Sequence, residues 1–216
     1  MAEKIAFYGG TFDPPHKGHV EIARALTARF SLNRFVFVPA NHAPHKKDRI
    51  PTESAHRLAM LSAASSEFSN TEISTIELDA PESPYTFETL AKLKSLHPGK
   101  VLFFVMGADS WNDIVSWRHW EEVLSTINVI VVTRPDYEIS TDHVTDAIRS
   151  RIRDVRGAVD VPESSPDSQL IFLTDAVSIQ VAASAIRAKI QCGDVSWRSD
   201  VGEAVANYIE THQIYK

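Results

Sequence analysis

The sequence has a single cysteine and no long apolar segment, and both absences narrow the class of protein. Cys192 is the only cysteine among 216 residues, so no disulfide can form within the chain and a reducing compartment is expected. No apolar run approaches the roughly 20 residues of a membrane-spanning helix. The first four residues, Met1-Ala-Glu-Lys, lack the apolar stretch of a signal peptide. We therefore expect a cytoplasmic protein without a membrane partner.

Positive charge is also scarce over the chain as a whole. There are 22 Lys and Arg against 28 Asp and Glu, which gives a net charge of −6. This balance argues against a general nucleic-acid-binding protein. Residues 1–60 differ, since they hold nine basic and five acidic side chains and five of the nine histidines. A basic, histidine-rich region in an acidic protein predicts an anionic ligand in that region.

Short apolar runs alternate with amphipathic stretches, which predicts an α/β fold. The runs are apolar on both faces, as in parallel strands covered by helices on both sides. The predicted strands are 5–8, 35–38, 71–78, 101–106, 129–133 and 170–173, and the predicted helices are 20–30, 53–68, 87–96, 117–124 and 201–211. We expect a Rossmann-like, doubly wound and mostly parallel sheet in one domain spanning residues 1–216. Its ligand should lie beyond the carboxyl ends of the strands.

Residues 136–168 interrupt this alternation. An arginine-rich stretch predicts a charged helix over 147–156, and a polar run of proline and serine follows at 162–168. We interpret the segment as a surface insertion within the domain.

The strongest chemical signal follows the first predicted strand, in the run from Gly9 to His19, GGTFDPPHKGH. Two glycines allow the backbone to approach a ligand, and the start of a helix presents unpaired N–H groups that bind anions. His16, Lys17 and His19 add side-chain donors beside that turn. The spacing matches neither a Walker A loop nor the GxGxxG dinucleotide fingerprint.

Other interpretations of these residue types remain open on spacing alone. His16 and His19, together with His42 and His45, could supply four ligands to zinc. Trp117, three residues before another tryptophan, has the spacing that is typical of core or helix-packing residues. Asp109 after Gly107-Ala108 is compatible with a helix N-cap, and Arg134 with an exposed strand end.

The run from Gly9 to His19 resembles the HxGH signature of the nucleotidyltransferase superfamily, in the form found in bacterial nicotinate-nucleotide adenylyltransferases. Five further pieces resemble that family in the same order along the chain: residues 37–46, 83–90, 104–109 with Trp117, 131–135 and 201–215. Two positions depart from its pattern. In the second ATP signature, Ser-x-Thr-x-x-Arg, Ala182 replaces the serine while Ser184 and Arg187 remain, and Ala43 stands where the family usually has a proline.

The resemblance implies transfer of the adenylyl group of ATP to nicotinate mononucleotide, with Mg²⁺ held by the ATP phosphates and no metal site in the protein. It implies His16, His19 and Arg187 as catalytic residues that also bind ATP. The other implied ATP-binding residues are Gly9, Gly10, Thr11, Phe12, Gly18, Lys46 and Ser184. The implied residues for the acceptor nucleotide are Asn41, His45, Tyr85, Thr86, Gly107, Asp109, Trp117 and Arg134.

Two alternatives to this function remain open. The acceptor could be nicotinamide mononucleotide or another phosphorylated metabolite, because sequence does not display the backbone N–H groups that would recognise the nicotinate carboxylate. A non-catalytic nucleotide-binding or metal-binding protein on the same sheet is the other alternative. The oligomeric state is also open, with a homodimer as one option.

Overall fold

One parallel sheet organises the chain in the computed structural model, which describes residues 2–41, 50–133, 139–177 and 181–216. The strands in these ranges are β1 (Lys4–Gly10), β2 (Arg34–Pro39), β3 (Thr71–Ile73), β4 (Val101–Gly107), β5 (Asn128–Val132), β6 (Ile152–Asp154) and β7 (Ile171–Thr174). The helices are α1 (Lys17–Phe30), α2 (Ser54–Ser65), α3 (Thr86–Leu96), α4 (Ala108–Asn112), α5 (Trp120–Thr126), α6 (Asp146–Arg149), α7 (Ala183–Gln191), α8 (Arg198–Val201) and α9 (Glu203–Thr211).

The strand order is β3-β2-β1-β4-β5-β7-β6, and every neighbouring pair is parallel. The chain builds outward from β1 to β3 and then returns to place β4 on the other side of β1. The predicted Rossmann-like, doubly wound parallel sheet is thereby confirmed. The strand order reverses between β1 and β4, and ligands of such sheets bind at this switch point.

The core lies on both faces of the sheet because successive strand residues point to opposite sides. In β4, Leu102, Phe104 and Met106 enter one buried cluster, where they meet apolar side chains of α3, α4 and α5. Val101, Phe103 and Val105 enter the other cluster, beside α1. These runs are therefore apolar at every position, as the sequence indicated.

A third buried cluster contains no strand residues and positions the helices that flank the site. It joins Met60 of α2, Ile186 of α7, Val205 and Ile209 of α9, and Ile214. Because these side chains pack together, α2, α7 and the chain after α9 are held as one unit.

Three predicted elements differ from the structure. The strand predicted over 71–78 ends at Ile73, and residues 75–78 form a turn instead. The helix predicted over 117–124 begins only at Trp120, because its N-cap, His119, has a left-handed backbone with φ of +52°. The helix predicted over 147–156 is wrong after Arg149, since Ile152–Asp154 pairs with β7 as an edge strand. The interpretation of 136–168 as an insertion stays a prediction.

Candidate active site

The carboxyl ends of β1, β2 and β4 meet at the switch point and carry several predicted site residues. Gly10 pairs with Pro39 across β1 and β2, and Gly107 pairs with Val132 across β4 and β5. The Ala40 amide donates to the Gly10 carbonyl at 2.9 Å, which extends the contact beyond the strands. Gly9, Gly10 and Gly107 therefore border the carboxyl edge of the sheet, which is where the sequence predicts the ligand.

Glycine is required at two positions because aromatic rings occupy the space of a side chain. A Cβ on Gly10 would lie 2.9 Å from the Phe12 ring, and a Cβ on Gly18 would lie 3.0 Å from Nδ1 of His16. Phe12 itself is buried and has a φ of +50°, in the left-handed region that bulky residues rarely adopt. Strain of this kind persists where the surrounding structure demands it, often at functional sites.

His16 and His19 lie together at the start of α1. Their rings stack with centroids 3.7 Å apart and planes 27° from parallel. The His16 amide donates to Nδ1 of His19 at 3.1 Å, so in the neutral imidazole the proton of His19 resides on Nε2. The Phe12 ring packs edge-on against His19, with centroids 4.9 Å apart. The loop thus orients a histidine N–H donor beside the N-terminus of a 14-residue helix.

Arg187 reaches the same loop from α7. Its Nη1 donates to the Asp13 carbonyl at 2.6 Å. It is the fifth residue of that helix. Ser184 is exposed in the first turn. Ala182, which replaces the family's serine, is the N-cap and offers no side-chain cap.

Arg57 of α2 donates hydrogen bonds to the loop from its buried side. The sequence did not predict this role. Its Nη1 donates to the carbonyls of Thr11 and Ala40, both at 2.8 Å, and its Nε donates to Thr52 at 2.9 Å. Burial lowers the pKa of Arg57, and the nearby Asp13 carboxylate partly offsets this. The side chain is 2% exposed and shares a helix face with Met60. The three-residue spacing from Arg57 to Met60 was a signal for its burial.

Asn41, Asp109 and Gly107 lie along the carboxyl edge, where an acceptor nucleotide is expected. Asn41 is exposed directly after Ala40, which is bonded to Gly10. Gly107 is both the last residue of β4 and the N-cap of α4, and a Cβ there would meet nothing within 4 Å. Asp109 is exposed in the first turn of α4 rather than at its N-cap.

Tyr85 and Thr86 begin α3, next to the segment that carries Trp117. Tyr85 is the N-cap, and its amide donates to Glu88 Oε2 at 2.8 Å. The guanidinium of Arg118, the residue after Trp117, lies 4.7 Å from the centre of the Tyr85 ring. Trp117 is half-buried against the core cluster that contains α3. The structure therefore brings the Tyr-Thr segment and the tryptophan segment together.

Three predicted site residues, His45, Lys46 and Arg134, lie outside the described residues. His42 lies outside them too, so the four-histidine zinc hypothesis is not tested by the geometry. Within the described ranges, no three His, Cys, Asp or Glu side chains converge as metal ligands. No helix in those ranges is both long and apolar enough to cross a membrane.

Comparison with known proteins identifies the family. Residues 7–189 match the cytidylyltransferase-like family. A relative from Solibacter usitatus, named a probable nicotinate-nucleotide adenylyltransferase, is 36% identical over 80% of this chain and 97% of its own length. A relative of the same name from Thermoanaerobacter is 31% identical over 99% of this chain and 94% of its own length.

Solved structures share the fold. The nicotinic acid mononucleotide adenylyltransferase of Plasmodium falciparum has been solved complexed with APC and complexed with NaAD. Each structure superposes with a TM-score of 0.73 and covers 99% of this chain and 97% of the Plasmodium chain, at 18% and 19% identity respectively. Together, the sheet, the HxGH loop and these matches show that the chain belongs to the cytidylyltransferase-like family and, within it, to the nicotinate-nucleotide adenylyltransferases.

Proposed function

We propose that this protein transfers the adenylyl group of ATP to the 5′-phosphate of nicotinate mononucleotide, releasing pyrophosphate and forming nicotinate adenine dinucleotide. One observation carries the proposal. His16 and His19 stack at the N-terminus of α1 beside Gly9-Gly10, and Arg187 reaches the same loop at the switch point of the sheet. The names of the relatives and the nucleotide complexes of the Plasmodium enzyme support this reaction.

The chemistry needs charge stabilisation more than proton transfer. A phosphate oxygen of the mononucleotide attacks the α-phosphorus of ATP, a new P–O bond forms, and the bond to the bridging oxygen of the β-phosphate breaks. That nucleophile is already ionised at neutral pH, so no general base is required. Catalysis then rests on positioning and on donors aimed at the phosphates. His16, His19 and Arg187 are the residues that we assign to this task.

We assign the remaining ATP contacts to the loop that surrounds these side chains and to the start of α7. Backbone at Gly9, Gly10, Thr11 and Phe12 would approach the nucleotide closely, and Gly18 keeps the helix start open beside His16. Ser184 offers a hydroxyl in the first turn of α7. Lys46 would add positive charge from the connection after β2.

The acceptor nucleotide would bind along the edge formed by the ends of β2 and β4 and the start of α3. Trp117 suits a flat pyridine ring, since its indole is only half-buried. We assign the exposed Asp109 to accept a hydrogen bond from a ribose hydroxyl, and Tyr85, Thr86, Asn41 and Gly107 to the same acceptor site. We expect Arg134 to bind the acceptor phosphate and His45 to contribute from the connection after β2.

The described residues fit Mg²⁺ that arrives with ATP. The Asp13 carboxylate beside the loop accepts hydrogen bonds from Tyr215 and Thr52, so its two oxygens are committed to the protein. Magnesium commonly binds through substrate phosphates and water with few protein ligands. When bound, it would neutralise phosphate charge. We further propose that the protein works in the reducing cytoplasm, because its single thiol, Cys192, is exposed and free.

The test is a comparative assay of acceptors. Purified protein is mixed with ATP, Mg²⁺ and either nicotinate or nicotinamide mononucleotide, and pyrophosphate release is measured. We expect the fastest release with the nicotinate form. Equal or faster release with the amide would overturn the acceptor assignment. Tightly bound zinc that is lost on His16→Ala or His42→Ala would instead support the metal-binding alternative.

A further inference from the structure

The carboxylate of Asp13, within the HxGH loop, accepts hydrogen bonds from two distant parts of the chain. The Tyr215 hydroxyl donates to Asp13 Oδ1 at 2.6 Å, across 202 residues of sequence. The Thr52 amide, just before α2, donates to the other oxygen at 3.3 Å. Asp13 is 4% exposed, so this charge has little water to stabilise it and depends on such donors.

Residues 212–216, which follow α9, have an unusual backbone conformation that brings Tyr215 to this carboxylate. Gln213 and Tyr215 have φ values of +53° and +70°, both in the left-handed region. Ile214 between them is buried in the cluster of α2, α7 and α9, and its amide donates to the Ile209 carbonyl at 3.1 Å. A bulky residue at positive φ costs conformational energy. The packing of Ile214 holds Tyr215 in place despite that cost.

The tyrosine remains a hydrogen-bond donor under working conditions. Burial and the neighbouring Asp13 carboxyl raise the pKa of the Tyr215 phenol above its usual range. The hydroxyl therefore stays protonated throughout the neutral and mildly alkaline range. A short hydrogen bond from a neutral phenol to a carboxylate is among the stronger kinds in proteins.

Asp13 links this bond to the proposed ATP site. It lies three residues before His16, and its own carbonyl accepts from Arg187. The Thr11 carbonyl, on the other side of Phe12, is held by Arg57. Movement of Asp13 would therefore be transmitted to both the histidine pair and the arginine.

We propose that Tyr215 is a positioning residue for the adenylyl-transfer site, acting through Asp13 to hold the loop of His16 and His19 in its ATP-binding shape. In this role Tyr215 acts on the loop through its bond to Asp13 and not on the substrate directly. The inference rests on the proposed function, since the site being positioned is the proposed ATP site.

The main test compares Tyr215→Phe with Tyr208→Phe. Each change removes one hydroxyl from the same region, and the Tyr208 hydroxyl bonds to His56 at 3.0 Å rather than to the loop. We expect Tyr215→Phe to lower kcat/KM for ATP by about 10-fold, the size associated with one hydrogen bond to a charged group. Most of this change should be a rise in KM for ATP. Tyr208→Phe should leave kcat/KM for ATP and KM for ATP within about twofold of the parental values.

A second variant approaches the same bond from the other partner. Asp13→Asn keeps an acceptor oxygen but removes the charge, so it should also raise KM for ATP. In the Asp13→Asn background, Tyr215→Phe should lower kcat/KM for ATP by a smaller factor than it does in the parent, because interacting residues give non-additive effects. If Tyr215→Phe does not fold, the rise in KM for Asp13→Asn decides the inference in its place.

The competing explanation is that Tyr215 only stabilises the fold. In that case Tyr215→Phe would lower the melting temperature while the constants per folded molecule stayed at parental values, and the inference would be overturned. Additive effects in the double variant would overturn it as well. Direct ATP titration without an acceptor separates the two proposals. If the parent binds ATP but transfers nothing to either mononucleotide, the proposed function fails, and the affinity of Tyr215→Phe still decides the inference.

Discussion

At the scale of single residues, the loop between β1 and α1 combines close packing with polar capping. Gly10 admits the Phe12 ring, Phe12 supports His19, and His19 accepts the amide of His16. His19 therefore has two tasks, since its Nδ1 caps the start of the helix while its Nε2 is the proposed donor to phosphate. Substitutions that keep one task and remove the other can separate structure from chemistry.

His19→Asn and His19→Ala make that separation. The Asn amide oxygen can replace Nδ1 as acceptor for the His16 amide, but neither variant retains a donor at the position of Nε2. We expect kcat to fall on the order of 10²–10³-fold in both, as for loss of a transition-state donor. The melting temperature should fall more for Ala than for Asn. His97→Asn, in the turn that precedes β4, serves as the control, and a near-parental kcat for His19→Asn would remove His19 from the proposed role.

Glu77 provides a pH-dependent test in the connection between β3 and α3. Burial raises its pKa, while a hydrogen bond from Thr89 Oγ1 at 2.9 Å partly opposes the shift. Its contribution to stability is therefore complete below the ordinary Glu pKa and is lost as the pH rises through the raised value. Glu77→Gln keeps the acceptor without the charge, so it should raise the melting temperature at pH 8 by about 2–4 °C and have little effect at pH 4.

Melting curves at both pH values check the Glu77 prediction. Glu82→Gln, an exposed carboxylate in the same connection, is the matched control and should change neither curve. A Glu77→Gln protein that is less stable than the parent at pH 8 would show that the carboxylate is better accommodated when charged.

At the scale of elements, α7 carries Arg187 to the loop but begins without a side-chain cap. Its N-cap is Ala182, where the family's signature has serine. The helix is held instead by Ile186, which is fully buried between α2 and α9. Packing thus compensates for a departure from the motif, and the arginine contact with the loop is retained.

Ala182→Ser should restore the missing cap. A serine hydroxyl at the N-cap accepts from an amide in the first turn and typically stabilises a protein by about 1 kcal/mol. For a chain of this size, that corresponds to a rise of about 2–4 °C in the melting temperature. Ala185→Ser, at an exposed position within the same helix, should give no rise, because serine is a poorer helix former than alanine. Equal shifts in the two variants would contradict the capping explanation.

How far the sequence predicts these elements depends on how local their determinants are. The runs that form β1, β2, β4, β5 and β7 are apolar on both faces, which specified buried parallel strands. The strand β6 lies inside an arginine-rich stretch that reads as a charged helix. It forms because Arg153 and Asp154 pair with a strand that is distant along the chain, and local pattern carries no information about that partner.

At the scale of the whole molecule, the edge of the sheet formed by β6 lies far from the proposed active site. β6 lies at one end of the strand order, three strands away from the switch point. Arg29 of α1 donates to the carbonyls of Val155 and Ala158, the latter at 3.0 Å. This arginine fastens the chain that follows β6 to the body of the fold.

Arg29→Met should therefore loosen the far edge without affecting the chemistry. Two part-buried carbonyls lose their donor, so we expect the free energy of unfolding to fall by about 1–2 kcal/mol and the melting temperature by about 2–8 °C. Hydrogen exchange should accelerate around residues 153–158, while KM for ATP stays at the parental value. Arg24→Met, on the exposed side of the same helix, removes only a surface pair with Glu21 and should change little. A rise in KM for ATP in Arg29→Met would show that the edge and the site are coupled.

The sequence alone determined the fold class and the family, because both are written in contiguous stretches of chain. Runs that are apolar at every position indicate buried strands directly. The motif places its glycines and histidines in the single contiguous stretch from Gly9 to His19. The tertiary structure decided what holds that motif in shape. Arg187, Arg57 and Tyr215 reach the loop across 174, 46 and 202 residues, respectively. No local pattern encodes such distances, since they depend on how α2, α7 and α9 pack against one another.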